Sequence, residues 1–411
     1  MTEHTPTDEL DQDSDSLQQG LRPTHLGDEG PSADWNPRGP SVRRDPLGSY
    51  DEVRGRCPVA RGPDGAWTLF THADVTRAAL DHERFSNAVS RHLQVPNGLD
   101  GPDHTAFRAV IERYFTPRRM ADLEPALRRI AGELATRSAA AGAVDAVELG
   151  ARFAVRAQSA WLGWPEDLED ELLQWVSDNR AATRSRDRAR TSQVAQHFDA
   201  IIRALIDVRH RADDDAAVDV TTELMCEKVD GRELTDEEIV SILRNWTGGD
   251  LGSMALCAGV VLTYLAENPE LQSRVRSGVS DRELDAILDE ILRIDDPFVS
   301  NRRVTTEAVD LHGRRIEAGE VVFLNWTSAN RDPRIFEDPD GFDPAGNAPY
   351  NLVYGIGKHV CPGRPLATLE LRVLVRAVLD ATSRVEADPA RPRRREVPPS
   401  GGYASAPLLL T

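Results

Sequence analysis

One run of residues restricts this chain more than any other: Tyr354-Gly355-Ile356-Gly357-Lys358-His359-Val360-Cys361-Pro362-Gly363. Its glycines leave no room for regular structure ahead of Cys361, while Leu366-Ala367-Thr368-Leu369-Glu370-Leu371 reads as a helix behind it. Proline is favoured at the first helical position, where its missing N–H would have no partner anyway. Pro362 therefore predicts a helix start that places Cys361 at or near the N-cap. The positive end of the helix dipole stabilises a thiolate there. The two glycines let the backbone fold back and approach a flat partner closely. A thiolate offered from such a loop suits a single metal within a large cofactor, and thiolate-ligated haem answers that description.

Other fates of Cys361 fit less well. A lone cysteine is most often a buried structural residue, but that needs no glycines, histidine and helix start around it. Zinc needs several ligands at close spacing, and neither a second cysteine nor a histidine pair accompanies His359. Covalent attachment of a c-type haem would show C-x-x-C-H, which is absent.

The chain has 411 residues and a net charge of −19. The charge argues against nucleic acid or an anionic membrane as a partner. Residues 1–33 are rich in Asp, Glu, Ser, Thr, Gly and Pro and are expected to form a disordered acidic tail; residues 34–411 are expected to form one domain. Cys57, Cys226, Cys257 and Cys361 have no pairing pattern, which suits a reducing cytoplasm. No apolar run is expected to span a bilayer, and the polar start resembles neither a signal peptide nor an anchor. Helical patterns cover 121–141, 167–182, 194–212, 236–267, 284–294 and 365–382, with short strands at 66–69, 315–316 and 321–324.

The cysteine run resembles the haem-binding signature of the cytochrome P450 family. From about Trp67 onward, further motifs follow in that family's order. The resemblance implies a mainly α fold with small β-sheets, haem b as cofactor, dioxygen as co-substrate, and an oxidation as the reaction. Glu290-Ile291-Leu292-Arg293 resembles the E-x-x-R pair that braces the cysteine loop; spacing of three puts both side chains on one helical face. Their expected role is structural. His104 and Arg108, in H-x-x-x-R, share a face four apart, and the resemblance implies that they bind the haem propionates with Arg303 and His359. Such charge-assisted hydrogen bonds are the strong kind.

The 236–267 segment reads as the helix crossing the distal face of the haem, with Gly248-Gly249-Asp250-Leu251-Gly252-Ser253 at its centre. The family usually places an acid and then a threonine here, to relay protons so that the O–O bond can break. In this chain Ser253 takes the hydroxyl position and Asp250 lies three residues upstream on the same face. A relay through Asp250 and Ser253 is one reading. The other is that Asp250 pairs with a cation and water carries the protons. Arg244-Asn245-Trp246-Thr247 and Val95-Pro96-Asn97-Gly98-Leu99-Asp100 resemble a bacterial branch whose haem domain is fused to an iron–sulfur flavin reductase. This chain is expected to stand alone and to draw electrons from a ferredoxin and its reductase, with Lys358, Arg364, Arg113 and Arg118 as a basic docking patch.

The segment before His104 is short, which predicts a thin roof over the pocket. Candidate substrate contacts are Val89, His92, Leu93, Trp246, Gly249, Phe298, Val299 and Tyr403, a lining that suits an aromatic or otherwise apolar molecule. Three functions follow. The first is hydroxylation or O-dealkylation of such a molecule in secondary metabolism or catabolism. The second is oxidative crosslinking of Tyr, Trp or His side chains in a short peptide. The third is a non-catalytic haem-fold partner protein.

Overall fold

Thr235 starts the helix around which the rest is arranged. Its hydroxyl accepts from the Glu238 amide and the Glu238 carboxylate accepts from the Thr235 amide, a reciprocal cap on the helix Asp236–Glu267. Three acids in its first turn complement the helix dipole. Asn268-Pro269 ends it, because a residue before proline is pushed out of the helical region. This central helix is long and apolar enough by composition to cross a bilayer, contrary to expectation. Its apolar side chains are instead covered by neighbouring helices, with nineteen of its residues buried.

This computed structural model describes residues 33–185, 187–211 and 219–411. Apart from Ala33, the tail expected over 1–33 lies outside the described residues. The helices read from sequence are present as Pro117–Ala141, Glu169–Ser185, Arg188–His210, Asp281–Ile294 and Arg364–Ala381. One long helix escaped the sequence reading: Ala146–Leu162, capped by Asp145 and buried along most of its length. Its polar stripe is narrow, Glu148, Arg152 and Arg156 at every fourth position, with nearly every other residue buried.

That helix makes the tightest contact with the central one. A Cβ at Gly150 would stand 2.6 Å from the Ala258 Cβ, and one at Gly259 would stand 2.7 Å from Val147 Cγ2. Glycine on each partner thus sets how closely the two backbones approach.

The β portion is small. Its main sheet has five strands in the order Val59–Arg61, Trp67–Leu69, Val321–Asn325, Ser300–Thr305, Phe85–Ser86. Val321–Asn325 runs parallel to Trp67–Leu69 and antiparallel to Ser300–Thr305, with Val322 opposite Arg303. This register holds Arg303 at one end of the cavity described below.

The E-x-x-R pair is buried, Glu290 at 1% and Arg293 at 0% exposure. Arg293 Nε and Nη2 donate to the two Glu290 oxygens at 2.8 and 2.9 Å. Its remaining donors reach the carbonyls of Asn330, Pro339 and Gly341. Glu290 Oε1 also accepts from the Asp343 amide and Asn347 Nδ2. The pair thereby ties one helix to the irregular stretch that leads into the cysteine loop. A buried pair satisfied this fully is costly to break from one side, about 3–5 kcal/mol.

Candidate functional site

The cysteine loop is built from its backbone. The Gly355 amide donates to the Leu352 carbonyl, the Val360 amide to Gly357, and the Cys361 amide back to Tyr354 at 2.8 Å. Gly355 and Gly357 adopt φ of +73° and +74°, a conformation that side-chain-bearing residues rarely adopt. The following helix begins at Arg364, with Gly363 as N-cap and Pro365 in its first turn. Pro362 therefore lies ahead of the helix, a correction of two residues to the sequence reading. Cys361 is nonetheless served by the helix start. Burial pushes its thiol up, and the Gly363 and Arg364 amides and the charge of Arg108 pull the other way. The side chain is exposed because it opens into a cavity of about 570 Å³.

Four expected cations or near-cations stand at one end of this cavity, in different states. Arg303 and His359 line it. Arg303 is buried, donates through Nη1 to the Arg302 carbonyl, and leaves Nε without a partner. Burial draws its guanidinium down to about 10. His359 is held at about 4, first by burial and then by the neighbouring His104 and Arg303. His104 lies behind it, ring centroids 4.1 Å apart, with a buried and partnerless Nε2. Arg108 is already engaged. It donates to Glu112 at 2.8 Å and to the carbonyls of Lys358 and Val360 at 3.3 and 2.6 Å, so it fixes the cysteine loop directly.

Asp100 completes this cluster and was missed as a functional residue. It caps the helix Gly101–Ile111 by position and accepts from Ser86 Oγ, the Asn87 amide and Asn87 Nδ2 at 2.6–2.9 Å. Burial raises its carboxyl, but these donors outweigh it and hold the group below its ordinary range. Asn87 Nδ2 also lies 2.9 Å from His359 Nε2. An aspartate just ahead of H-x-x-x-R was the available signal.

On the central helix Asp250 and Ser253 both line the cavity, but no hydrogen bond joins them. Nor does Asp250 take a cation. It faces Glu370 of the cysteine-loop helix and Gln158 of the helix Ala146–Leu162. With both acids ionised, Asp250 Oδ2 and the two Glu370 oxygens would be buried without donors. A proton held between the carboxyls removes that conflict. Burial raises Asp250 to about 6. Burial and the charge of Asp250 push Glu370 up as well, so the pair together retains a proton. Glu370 was legible only as a helix former, because nothing in its own segment reveals that Asp250 lies across from it.

The expected substrate contacts divide. Trp246, Gly249, Phe298 and Val299 line the cavity. Trp246 does so from an aromatic cluster, 5.1 Å from Trp161 and 5.6 Å from Phe115 between centroids. Phe115 in turn lies beside the cysteine, 3.7 Å from where a Gly363 Cβ would stand. Val89, His92, Leu93 and Tyr403 do not line it. Ser241 and Arg244 of the central helix donate to the Leu93 carbonyl, and the Val95 amide donates to Ser241. This pins the segment by its backbone and leaves the His92 and Leu93 side chains exposed. Tyr403 is buried under Arg393 and Arg395; Val397, Pro399 and Ser400 of the preceding turn reach the cavity in its place. The missed lining includes apolar residues such as Leu256 and Trp161 and a polar group of Asn97, Asn179, Arg180, Thr183 and Arg184.

The basic patch is reduced by pairing. Arg113 binds Glu227 and Arg364 binds Asp289, while Lys358 and Arg118 remain outside ion pairs among the described residues.

The donor set fits haem. One thiol opens into the cavity from a glycine loop, and at one end Arg303 keeps a buried Nε without a partner beside His359, with His104 behind, a set of donors that would suit two propionates. Comparison with known proteins agrees. A family model described as Cytochrome P450 matches residues 179–400. The chain is 33% identical to cyclomarin C epoxidase CymV of Salinispora arenicola over 339 residues, covering 78% of this chain and 84% of that protein. It is 30% identical to erythromycin C-12 hydroxylase of Saccharopolyspora erythraea over 356 residues, covering 82% and 87%. Its fold superposes on a P450 EryK mutant in complex with erythromycin B with a TM-score of 0.79, at 27% identity, over 90% of this chain and 97% of that one. A thiol on a braced glycine loop, facing a helix that carries an acid and a hydroxyl, is thus found in a chain that belongs to the cytochrome P450 family of haem-thiolate monooxygenases.

Proposed function

We propose that this monooxygenase hydroxylates or O-dealkylates an aromatic or apolar small molecule in bacterial secondary metabolism, and that its proton supply is the Asp250–Glu370 pair. The observation that carries the reading is the joint opening of Cys361, Asp250 and Ser253 onto one cavity. Haem, when bound, supplies activation of dioxygen. Cys361 would be its ligand, Arg303 and His359 on the cavity wall would hold the propionates, and His104 supports His359 from behind. Arg108 holds the loop carbonyls in place. The Asp250–Glu370 pair stores a proton beneath the central helix, Asp250 releases it, and the Ser253 hydroxyl orients the water that carries it into the cavity. The apolar parts of the wall, Phe298, Val299 and Leu256, hold the substrate and exclude bulk water.

Oxidative crosslinking in a short peptide is the second reading. It is favoured by the amide and hydroxyl lining of the roof, Asn97, Asn179 and Thr183, which suits peptide groups better than a hydrocarbon. Electrons are proposed to come from a ferredoxin and its reductase, docking over Lys358 and Arg118. The motif at Arg244-Asn245-Trp246-Thr247 supports placement in the branch associated with iron–sulfur flavin reductases. The test is a panel of phenolic small molecules and short aromatic peptides, scored first for a low- to high-spin shift and then for product mass. Monooxygenation adds an oxygen atom. Crosslinking removes two hydrogens, and that product from a peptide would replace the first reading by the second.

A further inference from the structure

Arg180, on the helix Glu169–Ser185, lines the same cavity as Cys361. Its Nε and Nη2 are buried and have no hydrogen-bond partner. It forms no ion pair among the described residues. A guanidinium in this state is expensive, because it loses hydration without gaining a counter-charge. Burial accordingly lowers its affinity for its proton.

The acids around it do not relieve this cost. Glu396 is engaged on both oxygens by Arg184, one turn further along the same helix: Arg184 Nε donates to Oε1 at 2.8 Å and Nη2 to Oε2 at 2.5 Å. The Val397 amide also donates to Glu396 Oε1. Asp145 is taken by the Val147 and Ala406 amides and by Ser405 Oγ. Glu148 acts on Arg180 only through its charge. The haem cations do not explain Arg180 either, since Arg303 and His359 belong to a strand of the main sheet and to the cysteine loop. Arg180 is thus a second cationic position in the cavity, on the roof, with Asn179 and Thr183 beside it in sequence and also lining the space.

We propose that Arg180 binds a carboxylate of the substrate, so that the molecule oxidised here is an aromatic or apolar carboxylic acid. The proposal rests on the monooxygenase reading and narrows its substrate class. Guanidinium and carboxylate match as a planar fork, and a desolvated pair of this kind restrains orientation as well as distance. The carboxylate anchored at the roof would leave the apolar portion of the molecule between Phe298, Val299 and the Gly249 face of the central helix. Two sources offer the same group: a free aryl-alkyl acid and the C-terminus of a short peptide.

The experiment is an equilibrium titration of the ferric holoprotein with matched acids and amides. The probes are indole-3-propionate against indole-3-propionamide, and a Trp-containing tripeptide with a free against an amidated C-terminus. Binding is read by the spin-state shift and by calorimetry. At least one acid should bind about tenfold or more tightly than its amide, as expected for a hydrogen bond to a charged group. Arg180→Gln should bring that ratio to near one while leaving amide affinity in place. Arg184→Gln, which frees the Glu396 carboxylate to pair with Arg180, should also lower the ratio. Preference in the indole pair alone identifies a free acid as the source; preference in the tripeptide pair alone identifies a C-terminus. Equal binding of acid and amide in both pairs, or a preference that survives Arg180→Gln, overturns the proposal. The reduced CO spectrum of the same samples judges the haem-thiolate reading separately, because calorimetry reports the acid–amide ratio without reference to iron ligation.

Discussion

At the scale of single residues, the informative pair is Asp250 and Glu370. Asp250 is buried against another acid, and its ionised form is the disfavoured one in the folded protein. The linkage has a definite sign. The folded carboxyl titrates near 6 against an ordinary value of 3.8. Its contribution to stability is greatest below the ordinary value and is lost as pH rises through about 6. Asp250→Asn cannot ionise, so it should be more stable than the wild type at about pH 8, by roughly 2–3 kcal/mol. The gap should narrow toward about pH 5. Urea unfolding midpoints at several pH values measure it, and a gap independent of pH would show that the pair does not hold the proton. The same residue illustrates what sequence withholds. The central-helix motif identified Asp250, but its partner lies on a helix more than a hundred residues later and was visible only once both helices were in place.

At the scale of elements, the E-x-x-R helix and the cysteine loop behave as one unit. Glu290 holds Arg293, the Asp343 amide and Asn347, and Arg293 holds three carbonyls on the approach to the loop. Glu290→Ala leaves a buried guanidinium without its counter-charge and should cost about 3–5 kcal/mol. The midpoint of chemical unfolding measures this, with loss of haem retention on a desalting column as a second sign. A variant as stable as the wild type would show that the pair is dispensable as a brace. This unit was readable in the chain because its geometry is local: glycines at positive φ, a proline near a helix start, and an i, i+3 pair. The pocket was less readable for the opposite reason. Whether Val89, His92 and Leu93 point inward depends on Ser241 and Arg244 capturing the Leu93 carbonyl, and the helix Ala146–Leu162 announces itself only by a narrow stripe of Glu148, Arg152 and Arg156. The polar roof around Arg180 lies on an amphipathic helix whose own pattern cannot say which polar residues meet solvent and which meet a cavity.

At the scale of the whole molecule, the cavity sits where the central helix, the roof helix Glu169–Ser185, the cysteine loop and the turn around Val397 converge. Its floor is set by Cys361, Arg303 and His359, the facing wall by Asp250 and Ser253, and its roof by Arg180 and the Arg184–Glu396 pair. A net charge of −19 confines any docking of an acidic electron donor to local cations such as Lys358 and Arg118. All of this depends on Cys361 being the iron ligand. The most direct measurement is the absorption spectrum of the reduced, CO-bound protein, for the wild type and for Cys361→His. The account predicts a Soret band at the red-shifted thiolate position in the wild type and at the imidazole position in the variant. A wild-type band already at the imidazole position would contradict it.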